Sequence, residues 1–150
     1  MNEPLTWLGT LAQPISVTAT ANAAPPPGIP DGWSDAYAYV NGIRVHYYHA
    51  VPAPGTPVIV MVHGVTDIGP CWTTLTWQLQ DAYDIDMLDT RGHGMSDPFS
   101  SGDNGDTLVK DVVDFVRVMK FDKPILMGHL MGAATVCASA RNTRRRFLFQ

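Results

Sequence analysis

The fold is most directly predicted from the segment Pro124-Ile125-Leu126-Met127-Gly128-His129-Leu130-Met131-Gly132-Ala133-Ala134. Its first residues form an apolar run too short for a helix, which predicts a short buried strand. The chain then turns at Gly128 and continues directly into residues 131–140, which we interpret as a helix. Small residues beside such a turn let neighbouring strands approach closely, and Gly128 and Gly132 meet that need.

Strand-like and helix-like segments alternate upstream of this turn. A strong hairpin signal, Asn41-Gly42, joins two segments that are rich in aromatic and β-branched residues. The predicted strands are 37–40, 43–48, 57–62, 83–88 and 124–127, another begins near Phe147, and the predicted helices are 71–79, 106–120 and 131–140. This order predicts an α/β fold in which an N-terminal hairpin precedes a mostly parallel sheet of five to six strands, with helices on both faces.

Spacing also predicts where individual polar residues lie. Asp103 or Asp106 is expected to cap the helix over 106–120, because a carboxylate accepts hydrogen bonds from the free N–H groups of a first turn. Asp111 is expected on the solvent side of that helix, away from its apolar stripe. His46 is expected at the surface or at an edge of its strand.

Composition excludes several classes of protein. A content of 45% hydrophobic and 16% charged residues is typical of a globular domain, and a net charge of -4 gives no reason to expect a nucleic-acid partner. Cys71 and Cys137 have no CxxC spacing, so they are expected to behave as small apolar residues rather than as a disulfide framework. No apolar run reaches the length of about 18 residues that a membrane-spanning helix needs.

The N-terminal region differs from the rest of the chain. Residues 1–30 are predicted to form a flexible arm that ends in a proline-rich linker, and residues 31–150 are predicted to form a partial domain. Residues 21–23 resemble a signal-peptidase site, but no basic residue precedes Arg44, whereas a secretory signal begins with positive charge. We therefore expect a cytoplasmic protein, with secretion as the less favoured alternative.

Recognisable motifs follow the predicted strands, at the sheet edge where ligands bind in parallel α/β folds. They are His63-Gly64-Val65, the segment 89–98 with the pattern D-x-R-G-x-G-x-S, and the turn at 128–132. Together these motifs resemble the α/β-hydrolase superfamily, in the branch that contains esterases, lipases, epoxide hydrolases, dehalogenases and haloperoxidases. The resemblance covers about residues 35–140 and follows the family's order of H-G, D-x-R-G-x-G-x-S and G-x-S-x-G.

The resemblance implies roles for residues at the strand ends. Position 130 is implied to lie above the sheet on a strained strand-to-helix turn, the nucleophile elbow. The backbone N–H groups of Val65 and Met131 are implied to form an oxyanion hole. The residues implied to shape these loops are His63, Gly64, Gly128, His129 and Gly132. No cofactor and no metal are implied.

Leu130 departs from the family pattern, which has Ser, Asp or Cys at this position. Leucine has neither a lone pair nor an acidic proton, so it cannot form a covalent intermediate. In this fold the triad's acid and His follow the nucleophile in the chain, and no Asp, Glu or His follows His129 here. We therefore predict a hydrolase-family chain, related to serine ester-type hydrolases, that is inactive as written.

Alternatives to this interpretation stay open. One is a non-catalytic partner protein that binds a small ester-like or apolar ligand in an apolar pocket around Leu130. Others are a truncated or frameshifted fragment of an active hydrolase, and an enzyme completed by another polypeptide. A zinc site of His63, His93 and His129 is disfavoured, because each has a loop-shaping role in the family. The strand over 125–127 is expected to expose an edge through which the chain self-associates.

Overall fold

A computed structural model describes residues 29–50 and 55–147, with side chains described as far as residue 142. The predicted N-terminal arm, over 1–28, lies outside the described residues. The strands are β1 (Ser34–Val40), β2 (Ile43–His49), β3 (Val58–Val62), β4 (Asp84–Leu88) and β5 (Ile125–Gly128), and the helices are α1 (Thr73–Leu79), α2 (Gly105–Val118) and α3 (Met131–Phe147). A short 3₁₀ helix, Gly69–Trp72, leads into α1.

The described strands form one mixed sheet in the order β1-β2-β4-β3-β5. The hairpin of β1 and β2 joins β4 in antiparallel fashion, and β3 pairs in parallel with both β4 and β5. Val62 pairs with Leu88 on one side and with Gly128 on the other. The loops that follow these three strands therefore begin side by side at one edge of the sheet, where the family motifs were expected to meet.

The hairpin turn confirms the prediction from Asn41-Gly42. Asn41 has a φ of 46° and Gly42 a φ of 82°, and Val40 pairs directly with Ile43. Two consecutive left-handed residues characterise the type I′ turn, whose twist matches that of the flanking strands. The local sequence therefore set both the turn type and the register of β1 against β2.

Helices cover both faces of the sheet, as predicted. On one face α2 and α3 pack through Val112, Phe115 and Val136 against the centre of the sheet. On the other face, which α1 covers, the core contains Met61 and Met87. β3 and β4 are buried on both faces, which explains why β3 is continuously apolar. β4 differs in containing Asp84 and Asp86, and the buried Asp86 is bonded to Nδ1 of His49 at 2.7 Å.

Two expectations about α2 were wrong. Its N-cap is Asn104, not Asp103 or Asp106, and the Asn104 side chain accepts hydrogen bonds from the backbone N–H groups of Asp106 (2.9 Å) and Thr107 (3.3 Å). Asp111, expected in solvent, is only 5% exposed. Its burial is possible because Arg91, in the loop after β4, forms an ion pair with it.

The C-terminal part also differs from expectation. β5 is less buried than predicted, and Ile125 is 43% exposed, because no strand among the described residues pairs with the outer edge of β5. Phe147 ends α3 rather than beginning a strand. Self-association through the β5 edge stays a prediction. Cys71 and Cys137 are exposed free thiols, contrary to the expectation of buried apolar roles.

Within the described part of the chain, no helix has both the length and the apolar character needed to cross a lipid bilayer.

Candidate active site

The predicted strand-to-helix turn lies between β5 and α3, at the position of the implied elbow. The strand ends at Gly128 and the helix begins at Met131, so His129 and Leu130 form the whole connection. Leu130 has a φ of 50° and is 71% exposed. A non-glycine residue in this left-handed region costs roughly 1–2 kcal/mol, so the fold holds Leu130 in a strained conformation above the sheet.

Close backbone contacts explain the two glycines of the elbow. A Cβ atom on Gly128 would lie 2.5 Å from the carbonyl group of Gly132, and a Cβ atom on Gly132 would lie 2.0 Å from the carbonyl oxygen of Val62. Both distances are far shorter than a carbon can approach, and the neighbouring atoms are backbone that cannot rotate away. The start of α3 is thus pressed directly onto the end of β3.

The loop after β3 lies against the elbow. A Cβ atom on Gly64 would meet Cε1 of His129 at 2.8 Å and Cδ1 of Leu130 at 3.2 Å, and the Gly64 N–H donates to Nε2 of His129 at 3.3 Å. The backbone of Val65 therefore follows immediately after a residue in contact with the elbow. This placement is compatible with Val65 and Met131 as oxyanion donors, and that role stays a prediction.

The side chain of His63 connects the loop after β3 to the loop after β4. Its side chain is fully buried, with Nδ1 donating to the Gly64 carbonyl at 2.6 Å and Nε2 accepting from the Thr90 N–H at 3.0 Å. Burial lowers the pKa of His63, which keeps the ring neutral. His93 acts similarly, because its Nε2 donates to the Val65 carbonyl at 2.7 Å. Both rings are therefore bonded to groups of the protein itself, and their loop-shaping role stays a prediction.

Asp89 anchors the loop of the second motif. Its buried carboxylate accepts from the Gly69 N–H at 2.7 Å, from Nδ1 of His46 at 2.9 Å and from the Met95 N–H at 3.0 Å. Burial raises the pKa of Asp89, but these three hydrogen bonds outweigh it and hold the pKa below its usual value. Asp89 is therefore an ionised residue with a structural role, which holds the loop after β4 in place.

His46 contradicts the expectation of a surface or edge position. Its side chain is 0% exposed, with Nδ1 facing Asp89 at 2.9 Å and Nε2 facing Asp35 at 3.0 Å. β2, on which His46 lies, is flanked by β1 and β4 and is not an edge strand. Sequence reasoning missed the burial because the partners of the ring, Asp35 and Asp89, lie 11 and 43 residues away in the chain. Burial lowers the pKa of His46, but the hydrogen bonds to Asp89 and Asp35 outweigh it, so the pKa is raised.

A pH-dependent contribution to stability follows from this arrangement. Because the pKa of His46 is raised above 6.5, its stabilising effect is complete below that pH and is lost as the pH rises through the folded-state pKa. We expect the free energy of unfolding of the wild type, relative to His46→Asn, to decrease as the pH rises above about 6.5, the pKa of an unperturbed histidine. Urea unfolding at a series of pH values measures this. A difference independent of pH over that range would contradict the assignment.

A cluster of polar side chains borders the elbow on its open side. Nε2 of His129 lies 3.3 Å from Oδ2 of Asp67 and 3.8 Å from Sγ of Cys71. The residue types suggest a nucleophile, base and acid, but Asp67 and Cys71 approach the same ring nitrogen, whereas a triad uses opposite nitrogens. Partial desolvation of its sulfur, together with the carboxylates of Asp67 and Asp89, raises the pKa of Cys71 to about 11. Cys71 is therefore a thiol at neutral pH and does not replace the missing nucleophile.

Comparison with known proteins agrees with this geometry. A family model described as serine aminopeptidase, S33, matches residues 54–148. Epoxide hydrolase 4 of Mus musculus is 28% identical over 134 residues, which cover 85% of this chain and 37% of the relative.

Solved structures give the same result. The epoxide hydrolase A from Mycobacterium thermoresistibile superposes with a TM-score of 0.66 and 26% identity, over 72% of this chain and 34% of that one. The N-formylmaleamic acid deformylase from Pseudomonas putida S16 gives a TM-score of 0.64 and 27% identity, over 73% of this chain and 42% of that one. The chain thus spans less than half of each relative. Since the family model matches more than half of the chain, this protein belongs to the α/β-hydrolase family and contains its N-terminal portion with the elbow.

Proposed function

We propose that this chain is a relative of serine ester-type hydrolases whose elbow has lost its nucleophile, and that the chain as written does not hydrolyse esters. One observation carries this proposal. Leu130 occupies the strained elbow position, with a φ of 50° and 71% of its surface exposed. The backbone that presents a nucleophile is intact, and the side chain presented there has no atom that can attack a carbonyl carbon.

The surrounding histidines support the same conclusion. A hydrolase of this fold needs a base that takes the proton of the nucleophile and an acid that orients the base. His63 is locked between the Gly64 carbonyl and the Thr90 N–H, so neither of its ring nitrogens is available for this task. Asp67 and Cys71 both contact the same ring nitrogen of His129, Nε2. His129 is therefore not arranged as the base of a triad, which uses its two ring nitrogens for different partners.

An activity assay tests the proposal. We expect the chain to hydrolyse p-nitrophenyl acetate no faster than buffer, because loss of the nucleophile of a triad lowers the turnover number by a factor on the order of 10⁶. Leu130→Ser is expected to stay inactive, because a serine without a base is not activated. Leu130→Ala is the matched control. Turnover that a serine-reactive phosphonate abolishes, or a Leu130→Ser rate clearly above that of Leu130→Ala, would defeat the proposal.

A non-catalytic ligand-binding role is the second candidate. Exposed apolar side chains near the elbow favour it, since Val65 is 58% exposed, Ile68 43% and Leu130 71%. Exposed apolar groups that lie close together are a common sign of a binding surface. A thermal-shift measurement added to the hydrolysis assay tests this role, because a p-nitrophenyl ester that raises the melting temperature but is not hydrolysed indicates binding alone.

A further inference from the structure

We propose that Asp67, Cys71 and His129 form a binding site for a divalent transition-metal ion, and that Zn²⁺ is the ion that fits their donor atoms best. A carboxylate oxygen, a cysteine sulfur and an imidazole nitrogen lie within 4.8 Å of one another at this point. The site departs from the sequence-based expectation of no metal. It also uses residues other than the His63 and His93 considered there.

The distances match tetrahedral coordination. Zinc binds nitrogen and oxygen at about 2.0 Å and sulfur at about 2.3 Å, which places tetrahedral ligands about 3.3 Å apart for N and O and about 3.5 Å apart for N and S. Nε2 of His129 lies 3.3 Å from the Asp67 oxygen and 3.8 Å from the Cys71 sulfur. The Asp67 oxygen and the Cys71 sulfur lie within 4.8 Å of each other, and rotation of these partly exposed side chains brings the three donor atoms to coordination distance.

The hydrogen bonding around His129 is otherwise contradictory. Nε2 is approached by the carboxylate of Asp67, the sulfur of Cys71 and the N–H of Gly64. A neutral ring nitrogen offers either one proton or one lone pair. With a proton it cannot accept from Gly64, and with a lone pair it faces the carboxylate without a donor between them. A cation at the centre gives all three side chains a common partner, at the cost of the long 3.3 Å contact with Gly64.

Backbone hydrogen bonds hold the ligands in place. The Asp67 N–H donates to the Gly64 carbonyl at 3.2 Å and the Cys71 N–H donates to the Ile68 carbonyl at 3.0 Å, so two successive turns bring both side chains back toward the elbow. Between these turns the Gly69 N–H is bound to the buried Asp89 carboxylate. A site whose ligands are already oriented loses less entropy when the ion binds.

The donor set identifies the class of metal. Sulfur and imidazole nitrogen are ligands that zinc and similar borderline-soft ions prefer, whereas magnesium and calcium select oxygen alone. Three protein ligands leave the fourth tetrahedral position for water or another small ligand, as in zinc sites that are not purely structural. Cys71 is exposed, and the side chains of Asp67 and His129 are each 37% exposed, so that position is accessible from solvent.

Cobalt substitution tests the site in the full chain. We expect one equivalent of Co²⁺ to produce the near-ultraviolet thiolate-to-cobalt charge-transfer band and the intense visible absorption of tetrahedral cobalt. Cys71→Ser should abolish the charge-transfer band and weaken Zn²⁺ binding, measured by competition with a colorimetric chelator, by at least about tenfold. Asp67→Asn should weaken Zn²⁺ binding while the charge-transfer band remains.

Cys137 provides the matched control, because it is the other free and exposed cysteine of the chain. Cys137→Ser should bind both ions as the wild type does, and far-ultraviolet circular dichroism verifies that each variant is folded. Absence of the band in the wild type would overturn the proposal, as would its persistence in Cys71→Ser or its loss in Cys137→Ser. None of these readouts depends on ester hydrolysis, so the outcome is independent of the proposed function.

Discussion

Replacing Arg91 with methionine is expected to lower the free energy of unfolding by about 3–5 kcal/mol, the cost of leaving a buried charge without its partner. The arginine is 4% exposed and binds both carboxylate oxygens of Asp111, through Nε at 2.8 Å and Nη2 at 2.9 Å. It also donates to Asp103 at 3.1 Å and to the carbonyl of Asn41 at 3.2 Å. One side chain thus joins the motif loop, the start of α2 and the hairpin turn.

The measurement is urea unfolding of the wild type and Arg91→Met, with Arg117→Met as the matched control. Arg117 pairs with Asp114 at 2.8 Å on the surface of α2, where its side chain is 48% exposed. Such exposed pairs contribute about 0.5 kcal/mol or less, so the control should change little. The double variant Arg91→Met with Asp111→Leu should regain part of the lost stability, because it removes the unpaired carboxylate. Equal losses in the two single variants would refute the proposed role of Arg91.

Alanine at position 132 is expected to destabilise the chain by about 3 kcal/mol or more, at the upper end of the range for overpacked sites. The added Cβ atom would lie 2.0 Å from the Val62 carbonyl oxygen and 2.7 Å from that of His63. Both contacts are with backbone of β3 and the residue after it, so relief requires α3 to move away from the sheet. That movement would also displace the elbow and Leu130.

Gly105→Ala is the matched control for this substitution. Gly105 is the first residue of α2, and a Cβ atom there would meet nothing within 4 Å. Alanine has a higher helix propensity than glycine by up to about 1 kcal/mol, so the control should be neutral or slightly stabilising. Thermal unfolding followed by circular dichroism compares the two variants. A Gly132→Ala protein as stable as the wild type would show that α3 does not press on β3 as described.

Much of the fold was predictable because it depends on neighbours in the chain. The Asn41-Gly42 turn, the apolar run of β3, and the glycines that bracket Leu130 each act within a few residues. Backbone sterics and the periodicity of helices and strands are local properties, so one sequence is enough to recognise them. The place of Leu130 on the turn between β5 and α3 was implied by the resemblance of residues 128–132 to the family motif.

The burial of the polar residues was not predictable in this way. Asp111 lies at a helix position that a hydrophobic pattern places in solvent, yet Arg91, 20 residues earlier, makes its burial favourable. His46 meets the Asp89 carboxylate across 43 residues, and His129 meets Cys71 across 58. Whether a charged side chain is buried depends on the partner that neutralises it, and no local pattern specifies that partner.

The difference between the features that the sequence predicted and those that it did not has one physical origin. The chain's own pattern was sufficient for the turns and for the alternation of strands and helices, because covalent neighbours restrict the backbone directly. The resemblance to a family motif was needed to recognise the substitution at Leu130. Packing of distant loops at one sheet edge was needed to place Asp67 and Cys71 beside His129 and to surround Asp89 with donors. A charge or a metal ligand acquires its role from groups brought within a few ångströms, and only folding creates those distances.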